Sequence, residues 1–144
     1  MRRIYFREVK KVKIMPVKHA VYEQLVDFLE RNQNIDKQLV LHNGYVVEIS
    51  GRIEASFILE KLESGDLWLK QLYITQAEAA KLPVLLETIL QLARKREAKM
   101  VYVHSHQPVV DILLEALKFQ QEMDNKIIPQ NPLMTGNWWS YHVS

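Results

Sequence analysis

The change of hydrophobic period after residue 75 restricts the fold of this chain more than any other feature. Residues 45–75 are rich in β-prone residues, and turn signals at Ser50-Gly51 and Ser64-Gly65-Asp66 divide them into three segments. Glycine supplies the positive φ that a tight hairpin needs, so we predict antiparallel strands over 45–50, 52–63 and 67–75. After this meander, helical spacing and short apolar runs alternate.

The second half of the chain predicts helices that alternate with strands. Residues 100–105 are a short, nearly continuous apolar run, which is typical of a strand buried on both faces. Pro108 opens a helix that is apolar on most sides, so we expect this helix to be well buried. A helix over 83–98 lies between strands 67–75 and 100–105, and such a β-α-β unit has parallel strands. Its helical spacing is carried by Leu82, Leu85, Leu86, Ile89 and Ala93.

The two ends of the chain complete the predicted element order. Residues 12–15 indicate a short strand that Pro16 ends, and residues 137–143 alternate like a last strand. We therefore expect one α+β domain over residues 1–144, with a mixed, mainly antiparallel sheet, one parallel β-α-β pair and helices on both faces. A helix over 20–31 is predicted with a buried stripe of Val21, Leu25, Phe28 and Leu29.

Composition and charge bound the class of protein. The absence of cysteine among 144 residues excludes disulfides, thiolate metal sites and a cysteine nucleophile. No apolar run approaches the ~18 residues that span a bilayer, and charged residues stand where a secretion signal needs its apolar region, so we expect a cytoplasmic protein with no membrane contact. Residues 1–18 hold seven of the 19 Lys and Arg side chains and one of the 17 acidic ones. Because the positive charge is confined to this basic N-terminal segment (1–13), we expect no nucleic-acid partner.

Three segments of the chain have the pattern of one known family. Leu72-Tyr73-Ile74, residues 85–103 and DILLEALKF (111–119) resemble the end of the fourth strand, the third helix with the fifth strand, and the fourth helix of the GNAT superfamily of acyl-CoA-dependent N-acetyltransferases. The predicted element order is also similar over essentially the full length. The resemblance implies a GNAT-like fold, acetyl-CoA as co-substrate, and an amine of a small molecule or peptide as acceptor.

The segment that would bind the cofactor departs from the family pattern. GNAT proteins join strand four to helix three by an Arg/Gln-x-x-Gly-x-Gly/Ala loop, whose backbone amides bind the CoA pyrophosphate. Here residues 76–83 read QAEAAKLP without glycine, and Thr75-x-x-Glu78 fits a helix capping box, which predicts a helical segment. The cofactor-binding residues that the resemblance implies are Leu72, Tyr73, Ile74, Lys81 and Gln107.

No specific motif identifies the catalytic side chains. Leu114 stands at the position of the family tyrosine that is proposed to protonate the CoA thiolate, and leucine is no acid. Tyr73 and Tyr141 are the remaining candidates for the acid, and His104 is the candidate base, with Glu48, Glu60 and His142 as alternatives. Each Glu also reads as an ordinary exposed strand carboxylate. In the family a backbone N–H of strand four stabilises the oxyanion, which implies a position near Tyr73 or Ile74.

Two further patterns lie near the expected site. His104-x-His106 has a spacing that metals use, but no carboxylate pattern accompanies it, so we expect no metal, and we expect Ser105 to cap the next helix. In the last strand Trp139 and Tyr141 share one face and Trp138 and His142 the other. We expect one face to join the core and the other to line an acceptor pocket or a homodimer contact.

Two functions remain open from the sequence. The first is a GNAT-fold N-acetyltransferase that binds acetyl-CoA between strands 67–75 and 100–105. The alternative is a catalytically inactive GNAT-fold binding or regulatory module, which the glycine-free segment and Leu114 favour. The sequence identifies neither the acceptor nor the oligomeric state.

Overall fold

The computed structural model describes residues 12–122 and 136–143, and residues 1–11 of the basic N-terminal segment lie outside them. Short 3-10 helices occupy Val17–His19 and Gln76–Lys81. No helix of the described residues is long and apolar enough to cross a membrane. The remaining elements are β1 (Val12–Pro16), α1 (Tyr22–Arg31), α2 (Lys37–Asn43), β2 (Tyr45–Ile49), β3 (Arg52–Lys61), β4 (Leu67–Ile74), α3 (Leu82–Lys95), β5 (Met100–Ser105), α4 (Pro108–Ala116), β6 (Gln120–Glu122) and β7 (Asn137–His142).

The strands form one mixed sheet in the order β1-β2-β3-β4-β5-β7-β6. Strand β4 pairs in parallel with β5, with Leu67–Leu69 opposite Val101–Val103. The pairs β1/β2, β2/β3, β5/β7 and β6/β7 are antiparallel. The predicted α+β class and the parallel β-α-β pair are confirmed. Helix α2 and strand β6 were not predicted, because seven and three residues are too short to show a hydrophobic period.

The chain forms two compact units, and β3 and β4 contribute residues to both. The first unit holds residues 12–58 and 71–88, and the second holds 59–70, 89–122 and 136–143. That the whole chain is a single domain stays a prediction.

In the first unit, helix α1 supplies the predicted buried residues with one exception. Leu25, Phe28 and Leu29 are buried, and they pack with Val40, Val46 and Ile53. Val21 was predicted on this stripe but is 55% exposed, because it is the residue that precedes the helix and its φ and ψ are extended. Its side chain therefore leaves the line of the helical face.

In the second unit, helix α4 is less buried than its composition suggests. Leu114 is 1% exposed, whereas Val109 and Ile112 are 77% and 68% exposed. The prediction of a well-buried helix is wrong, because an apolar composition allows burial on every side while the neighbouring elements decide which sides are covered. A smaller cluster of Leu62, Tyr102 and Trp138 is packed by Trp68 and Met100.

Helices α3 and α4 end in the same backbone motif. The Phe119 N–H donates to the Leu114 carbonyl and the Lys118 N–H to the Glu115 carbonyl, which is the Schellman pattern. Helix α3 repeats it, with Glu97 at the position of Lys118. Both residues are left-handed, with φ of 76° for Lys118 and 63° for Glu97, although glycine is the residue preferred there.

The β2–β3 hairpin turns at Ser50 and Gly51, whose φ values are 54° and 84°. Two successive positive φ values are the mark of a type I′ turn, in which Asn-Gly is the preferred pair. We expect Gly51→Ala to lower the free energy of unfolding by about 1 kcal/mol, because an L side chain strains this backbone. No atom lies within 4 Å of the added Cβ, so the loss has no steric part.

The opposite change is expected at the neighbouring position. Ser50→Asn should raise the free energy of unfolding by several tenths of a kcal/mol, since asparagine tolerates the left-handed region better than serine. Urea denaturation of both variants and the parent measures the two effects. Equal stability of Gly51→Ala and the parent would contradict the turn assignment.

Candidate functional site

The catalytic and cofactor-binding residues that were predicted from the sequence are divided between the two units. Leu72–Ile74 and Lys81 belong to the first unit, and His104, Gln107 and Tyr141 belong to the second. Gln107 is exposed and the others are half-buried.

Strand β4 changes backbone conformation at Gln71. The parallel register with β5 comprises Leu67–Leu69, all of which precede this residue. Gln71 has a φ of 56°, which is uncommon for any residue but glycine and indicates a bulge within the strand. Leu72–Ile74 follow the bulge. The resemblance implies that the oxyanion-binding N–H lies in this segment, near Tyr73 or Ile74.

The hydroxyl of Tyr73 is fixed by a buried asparagine. It donates to Asn32 Oδ1 at 2.6 Å, and the Asn32 amide in turn donates to the Phe28 carbonyl at 2.7 Å. The Phe28 and Tyr73 rings lie 6.2 Å apart. The phenol proton is therefore engaged, while the phenol oxygen keeps its acceptor capacity.

A buried carboxylate beside Tyr73 was not found from the sequence. Glu54 of β3 is 7% exposed, and its Oε1 accepts a hydrogen bond from Thr75 Oγ1 at 3.1 Å. Arg31 Nη1 lies 3.7 Å from the same oxygen. Among residues 12–122 and 136–143, no donor faces Glu54 Oε2. The signal that was available is a Glu inside the apolar run of 53–59.

Arg31 is held by more than Glu54. Its Nε donates to Asp27 at 2.8 Å and its Nη2 to the Ile53 carbonyl at 3.2 Å. The hydrogen bond from Arg31 lowers the pKa of the Asp27 carboxyl, and the charges of Arg31 and Arg52 act in the same direction. The guanidinium is thus shared, and it approaches Glu54 only at ion-pair distance.

The glycine-free segment is helical, as predicted, but it is not capped as predicted. Residues 76–81 form a 3-10 helix, and Glu78 N–H donates to the Thr75 carbonyl. The Thr75 side chain makes no cap, because its hydroxyl donates to the buried Glu54 carboxylate instead. Lys81 lies in the last turn, and α3 begins at the next residue.

In the second unit, His104 lies in an aromatic cluster at the end of β5. Its ring centroid is 5.0 Å from that of Trp138 and 6.3 Å from that of His106. Trp138 also contacts Trp68, at 5.3 Å. Within the described residues no group of three His, Cys, Asp or Glu side chains could hold a metal ion.

The prediction that Ser105 caps helix α4 is wrong. Gln107, not Ser105, is the residue that precedes α4. The Ser105 hydroxyl instead accepts from Gln107 N–H at 3.3 Å and donates to the Gln107 carbonyl at 3.2 Å. A serine two residues earlier than the cap folds the loop locally, a use of serine that competes with capping.

Both tryptophans of β7 are buried, so they leave no open aromatic face. Trp138 is 4% and Trp139 is 5% exposed. Asp111 of α4 accepts from Trp139 Nε1 at 2.8 Å and from the Asn137 amide at 3.1 Å. The prediction that one face of β7 stays open is wrong for the tryptophans. The Asp111 carboxylate of α4 binds Trp139, and Trp68 packs on Trp138. Tyr141 is half-buried and packs on Phe119, with ring centroids 5.1 Å apart.

Two of the alternative bases, Glu60 and Glu48, lie on strands. Glu60 is paired with Lys70 Nζ at 2.7 Å, and its side chain is 47% exposed. Glu48 stands opposite Lys13 in the β1/β2 register and is half-buried. The interpretation of Glu60 as an ordinary exposed carboxylate on a strand is confirmed.

The structure resembles solved acetyltransferases along nearly its whole length. An acetyltransferase of the GNAT family from Staphylococcus aureus Mu50 gives a TM-score of 0.67 at 14% identity, over 93% of this chain and 100% of that chain. The ribosomal-protein-S18-alanine N-acetyltransferase from Escherichia coli gives 0.65 at 14% identity, over 93% and 95%. N-acetylglutamate synthase from Neisseria gonorrhoeae, complexed with coenzyme A and N-acetyl-glutamate, gives 0.65 at 15% identity, over 93% and 35%.

These likenesses establish the class of fold. The chain has the GNAT fold, which confirms the resemblance found in the sequence. No protein-family model matches the sequence, and no curated protein matches it. Because the identities are low, the likeness establishes the fold but neither the reaction nor the acceptor.

The Tyr73–Asn32 bond is expected to contribute to stability. Tyr73→Phe leaves the buried side-chain Oδ1 of Asn32 without its donor, so the free energy of unfolding should fall by about 1–2 kcal/mol. Tyr22→Phe is the matched control, because Tyr22 is 74% exposed. Denaturation of the two variants measures the difference. A Tyr73→Phe protein as stable as Tyr22→Phe would rule the buried bond out.

Tyr102 predicts a loss of stability at alkaline pH. It is 4% exposed, and burial raises the pKa of its phenol above the ordinary 10.0, with smaller contributions from the Asp66 and Glu122 charges. As the pH rises, this phenol therefore ionises in the unfolded chain before it ionises in the folded one. Its contribution to the free energy of unfolding is fully present below a pH of about 10 and is lost as the pH rises through the folded-state pKa. Urea denaturation across this range should show a steeper fall for the parent than for Tyr102→Phe. Parallel curves would refute the assignment.

Proposed function

We propose that the chain is a cytoplasmic acyl-CoA-dependent N-acetyltransferase that transfers the acetyl group of acetyl-CoA to an amine of a small molecule or peptide. The observation that carries the proposal is the likeness to GNAT acetyltransferases over 93% of the chain. One of these neighbours is described as a putative acyl-CoA N-acyltransferase, and another was solved with coenzyme A.

The proposed reaction needs a donor for the oxyanion and does not need a side chain for it. The neutral amine attacks the thioester carbonyl, a C–N bond forms, the C–S bond breaks, and the amine proton leaves as the CoA thiolate departs. A backbone N–H within Leu72–Ile74 is the proposed oxyanion donor. The left-handed Gln71 supports this, since a bulge interrupts the regular strand just before that segment.

The side chains of this chain take the remaining roles in the proposal. His104 is the proposed base, and Tyr73 and Tyr141 are the proposed acids. The Tyr73 hydroxyl must give up its hydrogen bond to Asn32 before it can protonate the thiolate. Tyr73 is therefore a weaker candidate for the acid than for the backbone oxyanion donor. Lys81 and Gln107 are the proposed cofactor contacts, through phosphate charge and an amide hydrogen bond.

Glu54 is a further candidate on the acceptor side. Its carboxylate is nine-tenths buried, and one oxygen has no donor among the described residues. Arg31 approaches this carboxylate only at 3.7 Å, and a carboxylate in such a setting favours a further cationic partner over a neutral one. An acceptor that arrives as an ammonium ion therefore suits the first unit.

A second function is favoured by two observations. The glycine-free segment 76–81 is a 3-10 helix, and Leu114 is 1% exposed at the position of the family's proposed acid. A catalytically inactive GNAT-fold module that binds a ligand or partner fits both. A homodimer is compatible with either function.

Calorimetric titration with acetyl-CoA and CoA tests the proposal. We expect saturable binding that Ile74→Glu abolishes, because a carboxylate on β4 repels the CoA phosphates and is not compensated by the uncharged thioester. Ile14→Glu is the matched control, since Ile14 is a half-buried strand residue of the same unit. Circular dichroism verifies that both variants are folded. Equal binding by Ile74→Glu and Ile14→Glu would remove β4 from the cofactor site.

An amine panel then separates the two functions. Transfer from acetyl-CoA, with an increase of KM for a cationic amine in Glu54→Gln and a lower kcat in His104→Gln, is the result expected of the enzyme. Binding of acetyl-CoA without transfer to any amine supports the inactive module. Failure of the folded protein to bind acetyl-CoA at millimolar concentration would contradict the enzyme.

A further inference from the structure

A surface depression of about 200 Å³ lies in the second unit, along the end of β7. Met100 stands opposite His142 and Gln120 opposite Ser140 in the strand registers, so three neighbouring strands contribute to it. Five of its six lining residues carry a polar side chain, and none of the six is acidic. They are Met100, Lys118, Gln120, Ser140, Tyr141 and His142.

Several donors of this depression have no protein partner. Among the described residues, the Lys118 ammonium has no carboxylate within ion-pair distance. The Gln120 amide and the Tyr141 hydroxyl likewise have no hydrogen bond within residues 12–122 and 136–143. A concave surface with an unpaired cation and neutral donors attracts a negatively charged group.

Two acidic side chains bonded to lining residues of this depression are Glu122 and Asp66. Glu122 accepts a hydrogen bond from the Ser140 hydroxyl. Asp66 accepts from Met100 N–H at 3.0 Å and from the Ser64 hydroxyl at 3.0 Å. Neither carboxylate is within ion-pair distance of Lys118, whose ammonium has no acidic partner among residues 12–122 and 136–143.

The helix end does not require lysine at position 118. Lys118 and Glu97 occupy the same left-handed position of the Schellman motif in α4 and α3. Glycine is less strained than either residue there. The backbone effect of residue 118 can therefore be separated from the effect of its charge, with Glu97 as the reference position.

We infer that this depression binds a small oxyanion, the phosphate or carboxylate group of a small molecule, with the Lys118 ammonium as its charged contact and the Gln120 amide as a second donor. The inference does not rest on acetyl transfer. Tyr141 lines the same surface and is also a proposed acid, so the test uses Lys118.

The test is an NMR titration of amide resonances with inorganic phosphate, and separately with acetate, at constant ionic strength. We expect saturable shifts centred on residues 118–121 and 140–142, with affinity about tenfold lower in Lys118→Gln, because one charge-assisted hydrogen bond is lost. Saturation by phosphate alone identifies a phosphate site, and saturation by acetate identifies a carboxylate site. Either result supports the inference.

Two glycine variants make the test independent of folding defects. Lys118→Gly and Glu97→Gly should both raise the midpoint of thermal unfolding, since each relieves a left-handed residue. Only Lys118→Gly should lose anion binding. The inference is overturned if neither phosphate nor acetate causes a saturable shift at tens of millimolar, or if Lys118→Gln or Lys118→Gly binds as tightly as Glu97→Gly.

Discussion

The backbone of β4 is the constraint on which the rest of the structure depends. Its first residues pair in parallel with β5, and its last residues carry Tyr73 and lead to Thr75, which are bonded to Asn32 and Glu54. The left-handed Gln71 separates these two parts within a single strand. A regular strand would keep one alternation of faces throughout, so the bulge is what allows the two parts to have different partners.

Buried polar bonds give the first unit its specificity. Phe28 and Leu29 supply apolar burial, but many helix positions would satisfy burial alone. The Tyr73–Asn32 bond requires one rotation of α1 over the sheet, because a buried amide oxygen without a donor is costly. The Asp111 carboxylate plays the corresponding part between α4 and β7, where it accepts from Trp139 and Asn137.

The proposed catalysis depends more on the backbone of β4 than on particular side chains. Every residue type except proline supplies a backbone N–H, so a GNAT fold can keep an oxyanion donor on β4 while its loop glycines and its helix-four tyrosine are replaced. This is the physical reason for proposing catalysis although QAEAAKLP holds no glycine. The same replacements favour the inactive alternative, and acetyl-CoA binding followed by transfer distinguishes the two.

The sequence by itself determined the elements other than α2 and β6, their order and the GNAT resemblance, because hydrophobic period and turn residues act locally. It placed β5 at 100–105 and the hairpin turn at Ser50-Gly51, both as observed. Only the tertiary structure decided which surfaces are covered. It buried Glu54 and both tryptophans, exposed Val109 and Ile112, and assigned the Thr75 hydroxyl to Glu54. Such choices depend on partners distant in sequence, which no local pattern records.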